Sequence, residues 1–268
     1  MAIALERTVD EAGIAIVGGR AGSIRFGFTE RTGGVSRPPF QSLNLGSHVG
    51  DDPVAVGENR RRALRALGAD SFASRLLVPN QVHGDRFVTI RSAAPAAIAR
   101  ARAEIAAGAD GIVCTAPGIP VMLCYADCVP VILTCGDAFA VVHSGWKGTI
   151  KRIAASAARS LAEETSAPVC EVSAYIGPHI RGSEYEVSAE LMDRFAGEFA
   201  AVRPARDAGS RLLDLAACIR EALADEGILD GNVADSGLST MGNNDRFFSY
   251  RAERGRCGRH GAVAVRFA

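Results

Sequence analysis

The stretch Val129–Thr149 reads VPVILTCGDAFAVVHSGWKGT and decides the fold class. Its two continuous apolar runs, Val129–Thr134 and Phe139–His143, predict β-strands that are buried on both faces. The second run ends in a glycine-rich turn, after which a helix is expected from Thr149 to about Glu164. A buried strand that leads directly into a helix is typical of an α/β protein.

Further apolar runs on both sides of this stretch predict more strands and helices. The segment Ser23–Phe28 alternates like a strand, and a helix capped by Asp52, with Pro53 at its first position, should stop at Gly68. The remaining predicted strands are Leu76–Val82, Phe87–Ile90, Gly111–Thr115, Val121–Tyr125, Val169–Ile176 and Ala262–Phe267. Helices are expected over the alanine-rich segment Ala93–Ala109 and near Ala189–Ala200 and Leu213–Glu226. Adjacent strands often lack a helix between them, which favours an α/β fold with mixed β-sheets flanked by helices.

The composition excludes several classes of protein. There are 30 basic and 30 acidic residues, so net charge does not point to a nucleic-acid or membrane partner. The apolar runs are too short to cross a bilayer, and the N-terminal residues lack the pattern of a signal peptide. Seven cysteines without a CxxC pair fit reduced thiols, and we expect a cytoplasmic protein of undetermined oligomeric state.

Three short segments could carry chemistry. His143 closes a buried strand, which is where open α/β sheets usually bind ligands. Thr149 could cap the following helix, whose first N–H groups would attract an anion such as phosphate. Cys128 lies near a strand break at Pro130, and His83 stands beside a glycine at the end of a predicted strand. Each segment also has a plain reading, as an ordinary turn, a buried cysteine or a surface histidine.

Spacing alone does not join these segments into one site. The intervals of 44 residues from His83 to Cys128 and 14 residues from Cys128 to His143 match no compact zinc motif. Two imidazoles and a thiolate would suit zinc and would leave one position for water or substrate. A Cys–His nucleophile pair is the alternative.

A resemblance decides more than the spacing does. The chain resembles the YfiH-like family, also called the multicopper polyphenol oxidase or laccase-domain family, in an ordered set of motifs along nearly its whole length. These motifs are TGGVS (32–36), FQSLNLG (40–46), HVGD (48–51), ENR (58–60), QVHG (81–84), ADG (109–111), ADCVPV (126–131), HSGWKG (143–148), IGP (176–178), YEV (185–187) and FFSYR (247–251).

The resemblance implies a single α/β domain with mixed sheets over residues 1–268 and a metal ion bound by His83, Cys128 and His143. Cys124, His179 and His260 are not expected ligands by the same comparison. The chain departs from the family at Lys147 and Ser239, where arginine and cysteine are usual, and in its longer alanine-rich segment. Lysine keeps the charge but loses the two-pronged hydrogen bonding of arginine.

Members of this family have been linked to purine nucleoside phosphorolysis, adenosine deamination, polyphenol oxidation and peptidoglycan editing. The first of these predicts a zinc enzyme acting on a purine nucleoside and phosphate, and adenosine deamination by the same zinc site is a possible second activity. The expected polar contacts to the substrate are Asn44, His48, Lys147 and Arg251.

Aromatic side chains are expected to stack on the purine, and Phe247, Phe248 and Trp146 are the candidates. Asp127 could transfer a proton or accept a hydrogen bond beside the metal. The catalytic candidates are Asp127 together with Cys128, His83 and His143, the three residues that would hold the metal.

Three alternatives to the nucleoside enzyme remain open. Copper could occupy the same site and oxidise phenols, although multicopper chemistry needs more histidines than the five in this chain. Cys128 could be the nucleophile of a hydrolase that edits cell-wall precursors. A non-enzymatic binding module would not need so many polar motifs.

Overall fold

The computed structural model describes residues 2–267, which form two stacked β-sheets with helices on the outer faces. The strands are β1 (Glu6–Val9), β2 (Ala15–Ala21), β3 (Ile24–Thr29), β4 (Phe87–Ile90), β5 (Gly111–Cys114), β6 (Val121–Tyr125), β7 (Val129–Cys135), β8 (Ala138–Ser144), β9 (Ser173–Ile176), β10 (Val233–Asp235) and β11 (His260–Arg266). One sheet has the order β1-β2-β3-β11-β6 and is antiparallel throughout. The other has the order β10-β9-β7-β8-β5-β4 and is mixed, because its two outer pairs are parallel.

The helices surround these sheets. They are α1 (Pro53–Ala66), α2 (Pro95–Ala106), α3 (Trp146–Ile150), α4 (Ile153–Thr165), α5 (Ala189–Glu198), α6 (Arg203–Asp207) and α7 (Leu215–Asp225). Short 3-10 helices cover Asp70–Arg75, Val169–Glu171, Ala200–Val202 and Asp230–Asn232. No helix within residues 2–267 is long and apolar enough to cross a membrane.

Alternation along the strands builds separate apolar layers. In β8, Phe139 and Val141 face the other sheet, while Ala140 and Val142 face α4. In β11, Ala262 and Ala264 face the space between the sheets, and the intervening residues pack toward α1. The mixed α/β architecture expected from the sequence is therefore confirmed.

Several predicted elements have different limits in the structure. The predicted strand Leu76–Val82 is wrong, because only Leu77 makes a bridge, to Val121, and Pro79 has no N–H to extend a ladder. The predicted helix Thr149–Glu164 is interrupted at Arg152, whose φ is 59°. Val169–Glu171, predicted as strand, is 3-10 helix.

The turn after β8 also differs from the prediction. Thr149 does not cap a helix, because α3 has already begun at Trp146 and is preceded by Gly145. The Thr149 hydroxyl instead lies 2.8 Å from that of Ser144. The helix that begins after this turn has only five residues, so the long helix whose N–H groups were expected to bind an anion does not start here.

Candidate active site

Three side chains from distant segments meet at one end of the two sheets. The possible ligand atoms of His83, Cys128 and His143 all lie within 4.8 Å of one another. Within residues 2–267, no other group of three or more His, Cys, Asp or Glu side chains has the geometry to hold a metal ion. His143 is 3% exposed, Cys128 is half-buried and His83 is exposed. The cluster thus extends from the protein interior to the surface.

The two sheets place Cys128 and His143 directly. Residues 126–128 connect β6, in the antiparallel sheet, to β7, in the mixed sheet, so Cys128 lies where the chain crosses between them. His143 is the next-to-last residue of β8 and pairs with Pro130 of β7. Alternation puts the His143 ring on the same face as Val141, toward the other sheet.

His83 is placed by hydrogen bonds to a loop. The sequence predicted that His83 stands at the end of a strand, but no strand precedes it in the structure. Its φ is 58°. The neighbouring Gln81 side chain exchanges two hydrogen bonds with the backbone of Cys124, at 2.8 and 2.7 Å, which attaches the loop to β6. Because a positive φ costs free energy for a residue with a side chain, these contacts must compensate for it.

A carboxylate that was assigned no role in the sequence analysis connects this loop to His143. Asp110 is fully buried, and its Oδ1 lies 2.8 Å from Nδ1 of His143. The backbone N–H groups of Val82, His83 and Gly84 all donate to the same carboxylate, at 3.2, 3.0 and 2.7 Å. A carboxylate that occupies Nδ1 leaves Nε2 of the imidazole to face a metal ion.

Gly145 leaves space beside all three side chains. A Cβ atom at this position would lie 3.1 Å from Cys128 Sγ, 3.3 Å from His83 Cδ2 and 3.6 Å from His143 Cε1. The φ of Gly145 is −73°, so this glycine is needed for space and not for its backbone conformation. Any larger residue would enter the volume next to the cluster.

The cluster favours a negatively charged thiolate on Cys128 and a positively charged imidazole on His143. Burial opposes ionisation of Cys128, but the positive charge and hydrogen bonds of His143 and His83 outweigh it and lower the pKa of the thiol. Burial likewise opposes protonation of His143, but Cys128 and Asp110 outweigh it and raise the pKa of the imidazole. A thiolate of this kind is suited to bind a metal ion or to act as a nucleophile.

These residues fit a metal ion. Two imidazoles, a thiolate with a lowered pKa, a carboxylate behind one imidazole and an open space beside Gly145 are the features of a catalytic metal site with three protein ligands.

A cavity of about 450 Å³ opens above the cluster. His48, Asp127 and Arg251, three of the residues expected to contact the substrate or to act in catalysis, line it together with the cluster. Arg259, Tyr185 and Tyr250 also line it, and none of these was a candidate from the sequence.

Asp127 has both carboxylate oxygens engaged. Its Oδ1 accepts from the Thr240 hydroxyl at 2.7 Å, and its Oδ2 accepts from the backbone N–H of Arg251 at 2.6 Å. The Asp127 carbonyl also accepts from Ile180 N–H. Asp127 therefore connects the loop beside Cys128 to the loop that carries Tyr250 and Arg251.

Two of the expected substrate contacts lie elsewhere. Asn44 is fully buried, and its side chain bonds to the backbone of Gly46 and Arg259 and to the carboxylate of Asp51. Lys147 is exposed, its Nζ lies 5.4 Å from the centre of the Trp146 ring, and it does not line the cavity.

The aromatic residues expected to stack on a base are also elsewhere. Phe247 and Phe248 are fully buried, and Trp146 packs against the helical core. Tyr185 and Tyr250 take their place on the cavity wall, each with an arginine beside its ring: Arg251 at 5.4 Å and Arg259 at 5.7 Å. Little in the sequence pointed to these residues, because tyrosine and arginine in loops are usually surface residues.

A mixed α/β fold with a His–Cys–His cluster at the end of stacked sheets defines a class of metal-binding protein. The model of the multi-copper polyphenol oxidoreductase laccase family matches residues 25–266, and the chain belongs to this family. The resemblance to the YfiH-like family inferred from the motifs is therefore confirmed.

Relatives and solved structures agree with this assignment. A purine nucleoside phosphorylase of Pseudomonas aeruginosa is 34% identical over 232 residues, which cover 85% of this chain and 88% of that protein. The crystal structure of the hypothetical protein YfiH of Bacillus licheniformis has a TM-score of 0.85 and 29% identity, covering 97% of this chain and 98% of that one. YlmD of Geobacillus stearothermophilus has a TM-score of 0.83 and 27% identity, covering 98% and 100%.

Proposed function

We propose that this protein is a zinc-dependent purine nucleoside phosphorylase. One observation carries the proposal: a single cavity contains the His83–Cys128–His143 cluster together with two arginines, Arg251 and Arg259. Within residues 2–267 neither arginine forms a salt bridge with a carboxylate, so the cavity has positive groups ready for an anionic substrate. Relatives of this chain in Pseudomonas aeruginosa and Bacillus subtilis are named purine nucleoside phosphorylases, which supports the same reaction.

The size and lining of the cavity suit a nucleoside. Its volume of about 450 Å³ lies within the usual range for small-molecule sites. Tyr250 is 54% exposed and Tyr185 is half-buried, so both rings are accessible to a planar purine. Tyr125 also lines the cavity, and its buried hydroxyl donates to the Val142 carbonyl, which holds the ring in place.

In the proposed reaction, a phosphate oxygen forms a bond to C1′ of the ribose and the C1′–N9 bond breaks. The electron pair of that bond leaves with the purine, and the proton of the monohydrogen phosphate ends on the base. The products are the free base and ribose 1-phosphate. Zinc would supply a Lewis acid that stabilises developing negative charge. Cys128, His83 and His143 would hold it, and Asp110 would keep His143 oriented.

Asp127 acts in this scheme as a positioning residue. Both of its oxygens already accept hydrogen bonds, from Thr240 and Arg251. Its contribution is to hold the 249–251 loop so that Tyr250 and Arg251 face the cavity. Removal of a proton from the substrate is less consistent with an engaged carboxylate.

The number of histidines that could bind a metal ion favours a single zinc ion over the several copper ions that the family name implies. Multicopper oxidases bind several copper ions, but the chain has five histidines, and only two belong to the cluster. His179 and His260 are fully buried elsewhere, and His48 stands on the cavity wall. A single ion with an open position suits Lewis-acid or water-activation chemistry better than the four-electron reduction of O2 that multicopper oxidases carry out.

Product analysis of metal-analysed protein tests the proposal. Inosine, guanosine and adenosine are incubated with and without phosphate, and the base, ribose 1-phosphate and ammonia are measured. We expect base and ribose 1-phosphate only when phosphate is present, with about one zinc per chain. Zinc-loaded, folded protein that leaves all three nucleosides intact at every phosphate concentration would overturn the proposal.

Other products would show that the protein catalyses a different reaction. Ammonia from adenosine without phosphate would indicate deamination. Phenol oxidation restricted to copper-loaded protein would favour the oxidase alternative, and cleavage of a cell-wall precursor through Cys128 would favour the hydrolase. Cys170→Ala is a matched control for Cys128→Ala, because Cys170 is exposed and lies outside the cavity.

A further inference from the structure

Arg259 lies just before β11, and the sequence analysis gave it no role. It lines the cavity beside the metal-ligand cluster, and its Nη1 donates to the carbonyl oxygens of Cys257 and Gly258, both at 2.9 Å. Within residues 2–267 its Nε and Nη2 make no hydrogen bond, and no carboxylate pairs with it. A half-buried guanidinium with two unengaged nitrogens in a cavity is a natural partner for an oxyanion.

The position of Arg259 is fixed by the Asn44–Gly46 segment. Asn44 Oδ1 accepts from the backbone N–H of Arg259 at 2.8 Å, and Leu45 N–H donates to the Arg259 carbonyl at 2.9 Å. A Cβ on Gly46 would lie 2.8 Å from Cγ of Arg259, so the side chain packs directly on this glycine. The segment therefore serves to hold an arginine in place.

A buried polar network holds Asn44 in turn. Its amide donates to Asp51 at 2.8 Å, and Asp51 also accepts from the Ser36 hydroxyl at 2.6 Å. Asn59 donates to Ser36 and to the Asn44 carbonyl. Side chains fixed by buried hydrogen bonds lose little further freedom when a ligand binds, which increases affinity.

His48 adds a second polar group to the same wall. Loss of hydration lowers its pKa, and the positive charges of Arg259 and Arg60 lower it further. A neutral imidazole can still donate one N–H to an oxyanion.

We propose that Arg259, with His48 beside it and Asn44 as its positioning residue, forms the subsite that binds inorganic phosphate. The inference rests on the proposed phosphorylase function, whose phosphate subsite it locates. It also replaces the Lys147 turn as the phosphate site, because Lys147 lies outside the cavity. The role of Asn44 thus changes from a direct substrate contact to support for Arg259.

Phosphate binding measured without a nucleoside tests the subsite independently of turnover. Isothermal titration of zinc-loaded wild type, Arg259→Gln, Arg259→Lys and Lys147→Ala with inorganic phosphate gives the affinity of each. The matched control is Arg256→Gln, an exposed arginine three positions away that does not line the cavity. Zinc content and thermal midpoint confirm that each variant is folded and loaded.

We expect Arg259→Gln to weaken phosphate binding by roughly 10- to 100-fold, the usual effect of losing charge-assisted hydrogen bonds. Arg259→Lys should give an intermediate loss, because the charge stays and the second prong is lost. Arg256→Gln and Lys147→Ala should bind phosphate like the wild type. If Arg259→Gln fails to fold, the comparison of Arg259→Lys with Lys147→Ala still decides.

Steady-state kinetics then separate this inference from the proposed function. The KM for phosphate should rise in Arg259→Gln while the KM for inosine changes little. Phosphate binding that depends on Arg259 in a protein that splits no nucleoside would support the subsite and overturn the phosphorylase. Phosphorolysis with an unchanged phosphate KM in Arg259→Gln, or a loss of phosphate binding confined to Lys147→Ala, would overturn the subsite.

Discussion

Asp110 Oδ1 lies 2.8 Å from Nδ1 of His143 and 3.0 Å from the backbone nitrogen of His83. One buried carboxylate thus orients the imidazole that closes β8 and also holds the loop that carries the second imidazole. The two histidines are 60 positions apart in the chain. Their geometry is therefore set by a residue that binds neither metal nor substrate.

Asp110→Asn should weaken zinc binding by roughly 10- to 100-fold, as is usual for loss of a carboxylate behind a metal-binding histidine. An amide has one acceptor oxygen and would turn an N–H toward the donors of Val82 or Gly84. Competition with a chromophoric chelator measures the zinc affinity. Asp70→Asn, an exposed carboxylate remote from the cavity, is the matched control and should bind zinc normally. Equal zinc affinity in both variants would refute the orienting role.

Cys128→Ala should abolish stoichiometric zinc binding, because it removes the only charged ligand of the proposed site. We expect the fold to persist, since Cys128 is half-buried in a connecting loop and not in a strand. Elemental analysis gives the zinc content, and circular dichroism checks the fold. Cys170→Ala should keep the wild-type zinc content. A full complement of zinc in folded Cys128→Ala would show that the metal binds elsewhere.

Gly145→Ala should lower zinc affinity with little loss of stability in the metal-free protein. The added methyl group would stand 3.1 Å from Cys128 Sγ, while the φ and ψ of −73° and 174° suit alanine. Gly57→Ala is the control, because Gly57 is exposed within α1 with open space around its Cβ position. That change should stabilise the protein by about 0.5–1 kcal/mol and leave zinc binding intact. Chelator competition and chemical denaturation measure the two quantities.

His260 should make the protein sensitive to acid. It is fully buried, neither ring nitrogen has a hydrogen-bond partner within residues 2–267, and burial lowers its pKa to about 3, with Arg259 and Arg31 adding to the effect. The unfolded chain takes up a proton near its ordinary pKa of about 6.5, whereas the folded protein does not. The contribution of neutral His260 to stability is therefore complete above about pH 6.5 and is lost as pH falls toward 3.

His260→Asn removes this titration. Between pH 6.5 and 4.5 the wild type should lose up to about 2–3 kcal/mol more of its free energy of unfolding than the variant, at about 1.4 kcal/mol per pH unit. Urea denaturation of metal-free protein at several pH values measures both slopes. Parallel curves for the two proteins over this range would contradict the prediction.

The local pattern of the chain predicted most of the elements around the site. The apolar runs in β5 to β8 and the Asp52-capped α1 lie close to where the sequence put them, because burial on both faces and helix capping leave local signatures. The segment Leu76–Val82 was mistaken for a strand, because its apolar residues pack without a neighbouring strand to complete a ladder. β1 and β10 were missed because they are edge strands that are partly or fully exposed and less regularly patterned. β2 lies between β1 and β3 and was missed because Gly18 and Gly19 interrupt its apolar pattern.

By itself the sequence determined the fold class, the family and the residue types at the proposed metal site, since these depend on local periodicity and on motifs in order. Only the tertiary structure decided which residues meet. It brought His83, Cys128 and His143 together, kept Asn44 and Lys147 away from the cavity, and placed Asp110 behind His143 and Arg259 on the cavity wall. The physical reason is that these contacts form where two separate sheets stack, and the register of that stacking is fixed by packing and buried hydrogen bonds between segments far apart in the chain.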